Sequence, residues 1–124
     1  MRARQQIELK EGVMVELLFT PSMYERGRER GVIITIEDKD NPIQVVEAYT
    51  KLLYLGAINA WEALRFDNLD MGDFPYGLID FQLWTSENPR KFSRLIADIF
   101  QCITGKTMEQ AQEEVTQQDN LKKK

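Results

Sequence analysis

Residues 41–64, N-P-I-Q-V-V-E-A-Y-T-K-L-L-Y-L-G-A-I-N-A-W-E-A-L, decide the fold because they predict one long central helix. Asn41 supplies a capping side chain, Pro42 is tolerated at the first helical position, and Gln44 gives the polar third position of a helix start. We expect this helix to run to about Arg65 and the rest of the chain to pack around it.

Two alternating apolar and polar segments before this helix predict a β-hairpin. Residues 7–9 (I-E-L) and 13–17 (V-M-V-E-L) alternate as half-buried strands do, on either side of K-E-G at residues 10–12. Residues 32–36, V-I-I-T-I, are β-branched, which helices tolerate poorly. They predict a short extended segment, and the sheet has three short strands if this segment joins the hairpin.

Shorter helices are predicted from proline starts and glycine stops. They span residues 21–29, with Gly27 inside and Gly31 as a left-handed stop; 74–86, capped by Asp73; 89–104, stopped by Gly105; and 107–118. The fold class is therefore α+β and mainly α, with an N-terminal hairpin packed on a small bundle of about four helices. We expect a single domain over residues 1–124, with disordered tails at 1–5 and 119–124.

The composition excludes most familiar catalytic centres. The chain of 124 residues has no histidine and one cysteine, Cys102. A Ser-His-Asp triad, a Cys-His dyad and a His-containing zinc helix cannot form without histidine. One cysteine cannot close an intramolecular disulfide or supply a Cys-x-x-Cys metal site. The composition therefore favours a binding protein over an enzyme, with no cofactor.

The charge distribution also narrows the choice of partners. The net charge is −4, and the basic residues at the ends (Arg2, Arg4 and residues 122–124) leave a body of 11 basic and 20 acidic residues. An acidic body repels phosphate backbones, which predicts no nucleic-acid partner. The longest apolar run, residues 52–58, is far shorter than the roughly 18 residues of a membrane span. With no signal peptide in the sequence, we expect a cytoplasmic protein without a membrane partner.

Two local motifs fail at named positions. Residues 105–107, G-K-T, match the end of a phosphate-binding loop, but Phe100 occupies the place of its first glycine. The acidic loop at residues 67–73 has Leu69 and Met71 where a calcium loop needs oxygen ligands. A carboxylate-dependent metal-binding domain that uses this loop remains an alternative function.

The first candidate binding site is an apolar interruption in the polar stripe of the central helix. Leu55 and Ile58 fall on this stripe, beside Gly56. Either the hairpin or the C-terminal helix covers this patch, or a partner does, because exposed apolar patches mark interaction sites. Gly56 would let another backbone approach closely. The same patch is also a candidate for self-association.

The second candidate site is a cluster of aromatic residues around the third helix. It comprises Trp61, Phe66, Phe74, Tyr76, Phe81 and Trp84. These rings either fill the core or form a groove for a partner helix, with Met71, Tyr76 and Trp84 among its walls.

The order of elements resembles the tail assembly chaperones of long-tailed bacteriophages and prophages. The resemblance covers residues 7–104: a hairpin (I-E-L-K-E-G-V-M-V-E-L-L-F), a helix after T-P, the run V-I-I-T-I-E-D, and the long helix. It implies a protein of the host cytoplasm without catalytic residues, which binds the tape measure protein and helps recruit tail tube subunits. A small regulatory or adaptor protein that binds another protein through the aromatic groove is the alternative.

Overall fold

A computed structural model describes residues 4–68 and 70–104 and confirms a mainly helical α+β fold. Its elements are β1 (Arg4–Lys10), β2 (Val13–Leu18), α1 (Ser22–Glu29), α2 (Pro42–Asp67), α3 (Leu78–Glu87) and α4 (Pro89–Thr104). β1 begins at Arg4, inside the segment expected to be a tail. The helix predicted at 107–118 and the tail at 119–124 lie outside the described residues.

The hairpin pairs β1 with β2 in antiparallel register, with Ile7 opposite Val15. Gly12 has φ of 77° in the turn, a conformation that favours glycine. Of the two alternatives for residues 32–36, the structure shows the unpaired one, because within the described residues they pair with neither strand. The sheet therefore has two strands, and its apolar face lies on the helices. That face consists of Ile7, Leu9, Val15 and Leu17, all buried.

Helix α2 starts where the sequence predicted. The Asn41 side chain accepts hydrogen bonds from the N–H groups of Ile43 (3.0 Å) and Gln44 (3.5 Å). The helix ends at Asp67, two residues beyond the expected Arg65. Both β2 and α1 pack against α2, and α3 packs against α2 and β1. The long helix is thus the centre of the described fold.

Helix α3 starts four residues later than expected. The sequence predicted a helix over residues 74–86 capped by Asp73, but α3 begins at Leu78. The Gly77 N–H donates to Asp80 Oδ2 (3.0 Å), which closes the first turn there. The residues before it form an irregular segment.

The other helices confirm the local signals. Helix α1 ends at Glu29, and Gly31 has φ of 76°, so it is the left-handed stop that the sequence predicted. Helix α4 begins at Pro89, directly after Asn88. No helix in the described part of the chain is long and apolar enough to cross a membrane.

Candidate functional site

The apolar centre of α2 is covered by the protein's own chain. Leu55 and Ile58 are 1% and 0% exposed, and Gly56 is also buried. The Phe19 ring lies against Gly56 so closely that a Cβ there would be 2.6 Å from Phe19 Cε1. Of the two alternatives, the structure therefore shows cover within the chain: these three residues lie in the core and form no exposed binding patch.

Helix α1 supplies the rest of this cover, and its glycine has a packing role. A Cβ at Gly27 would lie 2.6 Å from Cδ2 of Leu55. Gly27 weakens an isolated helix, since glycine costs about 1 kcal/mol relative to alanine. Here it allows α1 to approach α2 closely. The cover thus comes from α1 and the end of the hairpin.

A buried asparagine, Asn59, holds α1 and the end of β2 on α2 through hydrogen bonds. Sequence analysis did not single it out. Asn59 Oδ1 accepts hydrogen bonds from Ser22 Oγ and Arg26 Nε, both at 2.9 Å. Its Nδ2 donates to Leu18 O (2.9 Å) and to Thr20 Oγ1 (2.8 Å). Asn59 is 1% exposed, so these bonds compensate for the desolvation of its amide. One side chain therefore joins β2, α1 and α2.

A second apolar face of α2 stays open. A groove of about 270 Å³ lies between β2, α2 and the irregular segment before α3. We call it the aromatic groove, and it is lined by Met14, Val15, Glu16, Ala57, Ala60, Trp61, Leu64, Phe74, Pro75 and Tyr76. Residues far apart in the sequence form it, which is why spacing alone does not predict it.

Three aromatic rings form one wall of the aromatic groove. The centroids of Trp61 and Phe74 are 5.8 Å apart, and those of Phe74 and Tyr76 are 5.6 Å apart, both in edge-to-face geometry. Trp61 Nε1 also donates a hydrogen bond to Gly72 O (2.8 Å), which ties the irregular segment to α2. The rings hold one another in place, so the wall does not collapse onto the helix.

The floor and the rim of the aromatic groove are apolar. Ala57 and Ala60 are the small residues of α2 that form the floor. Met14 and Leu64 stand at the rim and remain 52% and 44% exposed. Exposed apolar side chains beside a concave apolar surface are typical of a binding site.

An ion pair holds the hairpin turn beside the tyrosine of this wall. Lys10 Nζ lies 2.9 Å from Asp80 Oδ1 and 5.7 Å from the centroid of the Tyr76 ring. The hydrogen bond with Lys10, together with the one from the Gly77 N–H, lowers the pKa of Asp80. The hydrogen bond and the charge of Asp80 raise the pKa of Lys10. Both groups are therefore charged at neutral pH.

The acidic loop gives the metal-binding alternative no support. Asp73 Oδ1 accepts a hydrogen bond from Arg65 Nη1 at 2.8 Å, so its carboxylate is engaged in an ion pair. Within residues 4–68 and 70–104, no group of three or more His, Cys, Asp or Glu side chains is placed to hold a metal ion. Residues 105–107 and the Cys102 side chain lie outside the described part.

The three predicted aromatic-site residues do not converge. Tyr76 lines the aromatic groove, whereas Met71 is half-buried and is not among its lining residues. Trp84 is buried and lies at a separate groove of about 280 Å³ between β1 and α4. That groove also carries Lys91 and Asp98, so it is more polar than the aromatic one.

The aromatic groove is therefore the strongest candidate site in the described residues. Its chemistry is that of apolar side-chain capture, because nine of its ten lining residues are aliphatic or aromatic and Glu16 is its one charged lining residue. The Glu16 carboxylate is engaged with Arg4 Nη1 at 2.7 Å. No family model, no curated protein and no solved structure matches this chain.

Proposed function

We propose that this protein is a non-enzymatic binding protein that holds an apolar segment of another protein in the aromatic groove. The observation that carries the proposal is the open apolar rim, where Met14 and Leu64 stay exposed beside packed rings. Leaving such a surface in water costs roughly 25 cal/mol for each Å² of apolar area. A partner that covers the rim would recover this free energy, less the cost of ordering itself.

The shape of the aromatic groove favours a helical partner segment. Ala57 and Ala60 follow one another on one face of α2 and leave a low floor between the ring wall and β2. An amphipathic helix places apolar side chains three and four positions apart, and such a row can lie along a groove of this kind.

The specific role that we propose is that of an assembly chaperone of the phage tail type, working in the host cytoplasm. Two observations support it: the resemblance of the element order over residues 7–104, and an open apolar groove of the kind that a long, helical, aggregation-prone tape measure protein would require. Tail tube subunits would be the second partner. A regulatory adaptor that uses the same groove is the second candidate, and the identity of the partner separates the two.

The test is co-expression with the product of the long reading frame that the chaperone role predicts beside this gene. The soluble fraction of that product is measured with the wild-type chain, with Leu64→Glu and with Ile79→Glu. Leu64, which is 44% exposed, lines the aromatic groove, whereas Ile79, an apolar residue of α3 that is 67% exposed, does not. The two substitutions therefore add the same charge on and off the site.

We expect the wild-type chain and Ile79→Glu to keep the long product soluble and Leu64→Glu to lose most of this effect. A glutamate at the rim would have to be desolvated without a partner, which is costly. Equal solubility with Leu64→Glu would contradict the groove as the site. Absence of any long neighbouring reading frame, or failure of the wild-type chain to solubilise its product, would contradict the chaperone role.

A further inference from the structure

The segment between α1 and α2 has the side-chain pattern of a strand but no strand beside it. Residues 32–36 contain neither a turn nor a bend. Val32 and Ile34 pack against the core, while Ile33 between them is 66% exposed and Ile36 is 43% exposed. All five residues are β-branched, the type that fits a pleated sheet best.

Hydrogen bonds hold this segment at its two ends and leave its middle unpaired. The Val32 N–H donates to Gly27 O (2.8 Å), and the N–H groups of residues 37–38 donate to Gln44 Oε1 (3.1 and 2.9 Å). Between them, the N–H groups of residues 33–36 donate to no other group in the described part of the chain. A fixed, apolar backbone edge of this kind is a template for another strand.

The sequence around this edge is complementary to itself in the antiparallel direction. Residues 28–40 read R-E-R-G-V-I-I-T-I-E-D-K-D. If two copies are laid antiparallel with Ile34 opposite Ile34, every charged residue before the apolar run faces an opposite charge after it. The facing pairs are Arg28 with Asp40, Glu29 with Lys39, and Arg30 with Asp38.

The fold leaves the outermost pair of these flanking charges, Arg28 and Asp40, available, whereas Arg30 Nη2 lies 3.4 Å from Glu62 Oε1. Asp40 is exposed and belongs to no ion pair within the described residues. Arg28 pairs with Glu25 at 3.2 Å, but both side chains are largely exposed, so exchanging this partner costs little. Because α1 ends at Glu29, a strand can extend only over residues 32–36, and the flanking charges act from its two ends.

We propose that residues 32–36 pair antiparallel with the same residues of a second copy of this chain, which gives a two-fold symmetric dimer with Ile34 at the axis. Ile36 of each copy then lies opposite Val32 of the other, and Ile33 lies opposite Thr35. This arrangement covers part of the exposed apolar side chains and pairs every second free N–H group, because the N–H groups of successive residues point to opposite edges of a strand. None of residues 32–36 lines the aromatic groove, so the dimer is independent of the proposed partner site.

The first test is sedimentation of the full chain between about 1 µM and 1 mM, the range in which a short interface of this kind would associate. Arg28→Glu and Asp40→Lys each place like charges at both ends of the pairing, so each variant should weaken the dimer about tenfold. An equimolar mixture of the two variants should restore it, because each end of a mixed dimer again joins opposite charges.

The mixture separates the proposal from simple loss of folding, because two unfolded variants could not restore association. A wild-type chain that stays monomeric up to about 1 mM would overturn the proposal. Variants that dimerise as the wild type does, or a mixture that does not recover, would overturn it as well, since the dimer would then use another face or another register.

The second test is a nuclear Overhauser contact between isotope-labelled and unlabelled chains. Within one extended chain, the side chains of Val32 and Ile36 are about 13 Å apart, too far for such a contact. In the proposed dimer they are directly opposite, with Cβ atoms about 5 Å apart. A contact between a methyl group of Val32 in one chain and a methyl group of Ile36 in the other would support the register, and its absence in a dimeric sample would overturn it.

Discussion

Helix α2 has two apolar faces: the rest of the chain covers one of them and leaves the other open to solvent. The covered face, made by Leu55, Gly56, Ile58 and Asn59, lies under α1 and Phe19. The aromatic groove lies on the face that carries Ala60 and Leu64, and its rim meets solvent. Both faces are apolar in sequence, so hydrophobicity alone does not say which one another protein would contact.

The difference follows from what lies opposite each face. The covered face meets elements that carry small residues or matched hydrogen bonds, so they approach closely and seal it. The aromatic groove meets large rings that pack edge to face with one another and leave a channel beside the helix. The covered face is therefore closed where a glycine meets a large side chain, Gly56 under Phe19 and Gly27 over Leu55, whereas the aromatic groove stays open where large rings pack on one another.

The largest expected difference in stability between the two faces comes from removing the Asn59 side chain, which joins β2, α1 and α2. Asn59→Ala removes the partner of four polar groups of β2, α1 and the connection between them and creates a void, so we expect a loss of about 3 kcal/mol in the free energy of unfolding. Leu64→Ala at the half-exposed rim should cost about 1 kcal/mol or less. Urea unfolding measures both, and equal losses would contradict the assignment of covered and open faces.

The next largest loss of stability is expected at Gly56, where the covered face is closely packed. Gly56→Ala forces a Cβ to within 2.6 Å of a rigid Phe19 ring carbon, so we expect about 2 kcal/mol of destabilisation. Gly72→Ala, beside the aromatic groove, meets nothing within 4 Å and is the matched control. Its unfolding free energy should stay within about 0.5 kcal/mol of the wild type. If Gly56→Ala left the free energy of unfolding unchanged, Phe19 would not be closely packed on Gly56.

A smaller and more local effect is expected at the wall of the aromatic groove. Trp61→Phe keeps an aromatic ring but removes the hydrogen bond from Nε1 to Gly72 O, worth about 1 kcal/mol. Amide hydrogen exchange should accelerate in residues 70–77 and stay unchanged in α1, which the covered face holds. If amide exchange accelerated equally throughout the protein, residues 70–77 would not open independently of α1.

The smallest effect concerns the ion pair beside Tyr76, and it depends on pH. Because the folded state lowers the pKa of Asp80, the pair contributes stability above the unfolded-state pKa of about 3.9 and loses it as the pH falls through the folded-state value. Asp80→Asn should therefore be less stable than the wild type near neutral pH, and the difference should shrink below about pH 4. Asp70→Asn removes a carboxylate from the exposed loop and is the control for the loss of one negative charge.

Local signals in the sequence predicted the ends of most helices correctly. The start of α2 at Pro42 and of α4 at Pro89 depends on neighbouring capping residues, and the stop at Gly31 depends on one backbone angle. The start of α3 was wrong because a distant contact decided it. Phe74 is buried among the rings, and residues 74–77 stay irregular instead of forming the first turn of the predicted helix.

The sites were harder to predict because they depend on which elements meet. The interruption at Leu55 and Ile58 was read correctly as apolar, but only the fold places α1 over it. Asn59 was missed since a polar residue in a long helix usually faces solvent; its signal was its position inside an apolar stretch. The aromatic groove joins β2, α2 and a loop, and no spacing within one element reveals it.

The most direct test of the proposed binding site is a hydrogen-exchange footprint of the protein in complex with the product of the neighbouring long reading frame. Amides of residues 60–64 and 70–77 should gain protection on binding, while those of α1 and of the covered face (Leu55, Gly56, Ile58 and Asn59) should not change, because they are already enclosed within the domain. Protection that appears on α1 and around Leu55, with the aromatic groove unchanged, would contradict the groove as the binding surface.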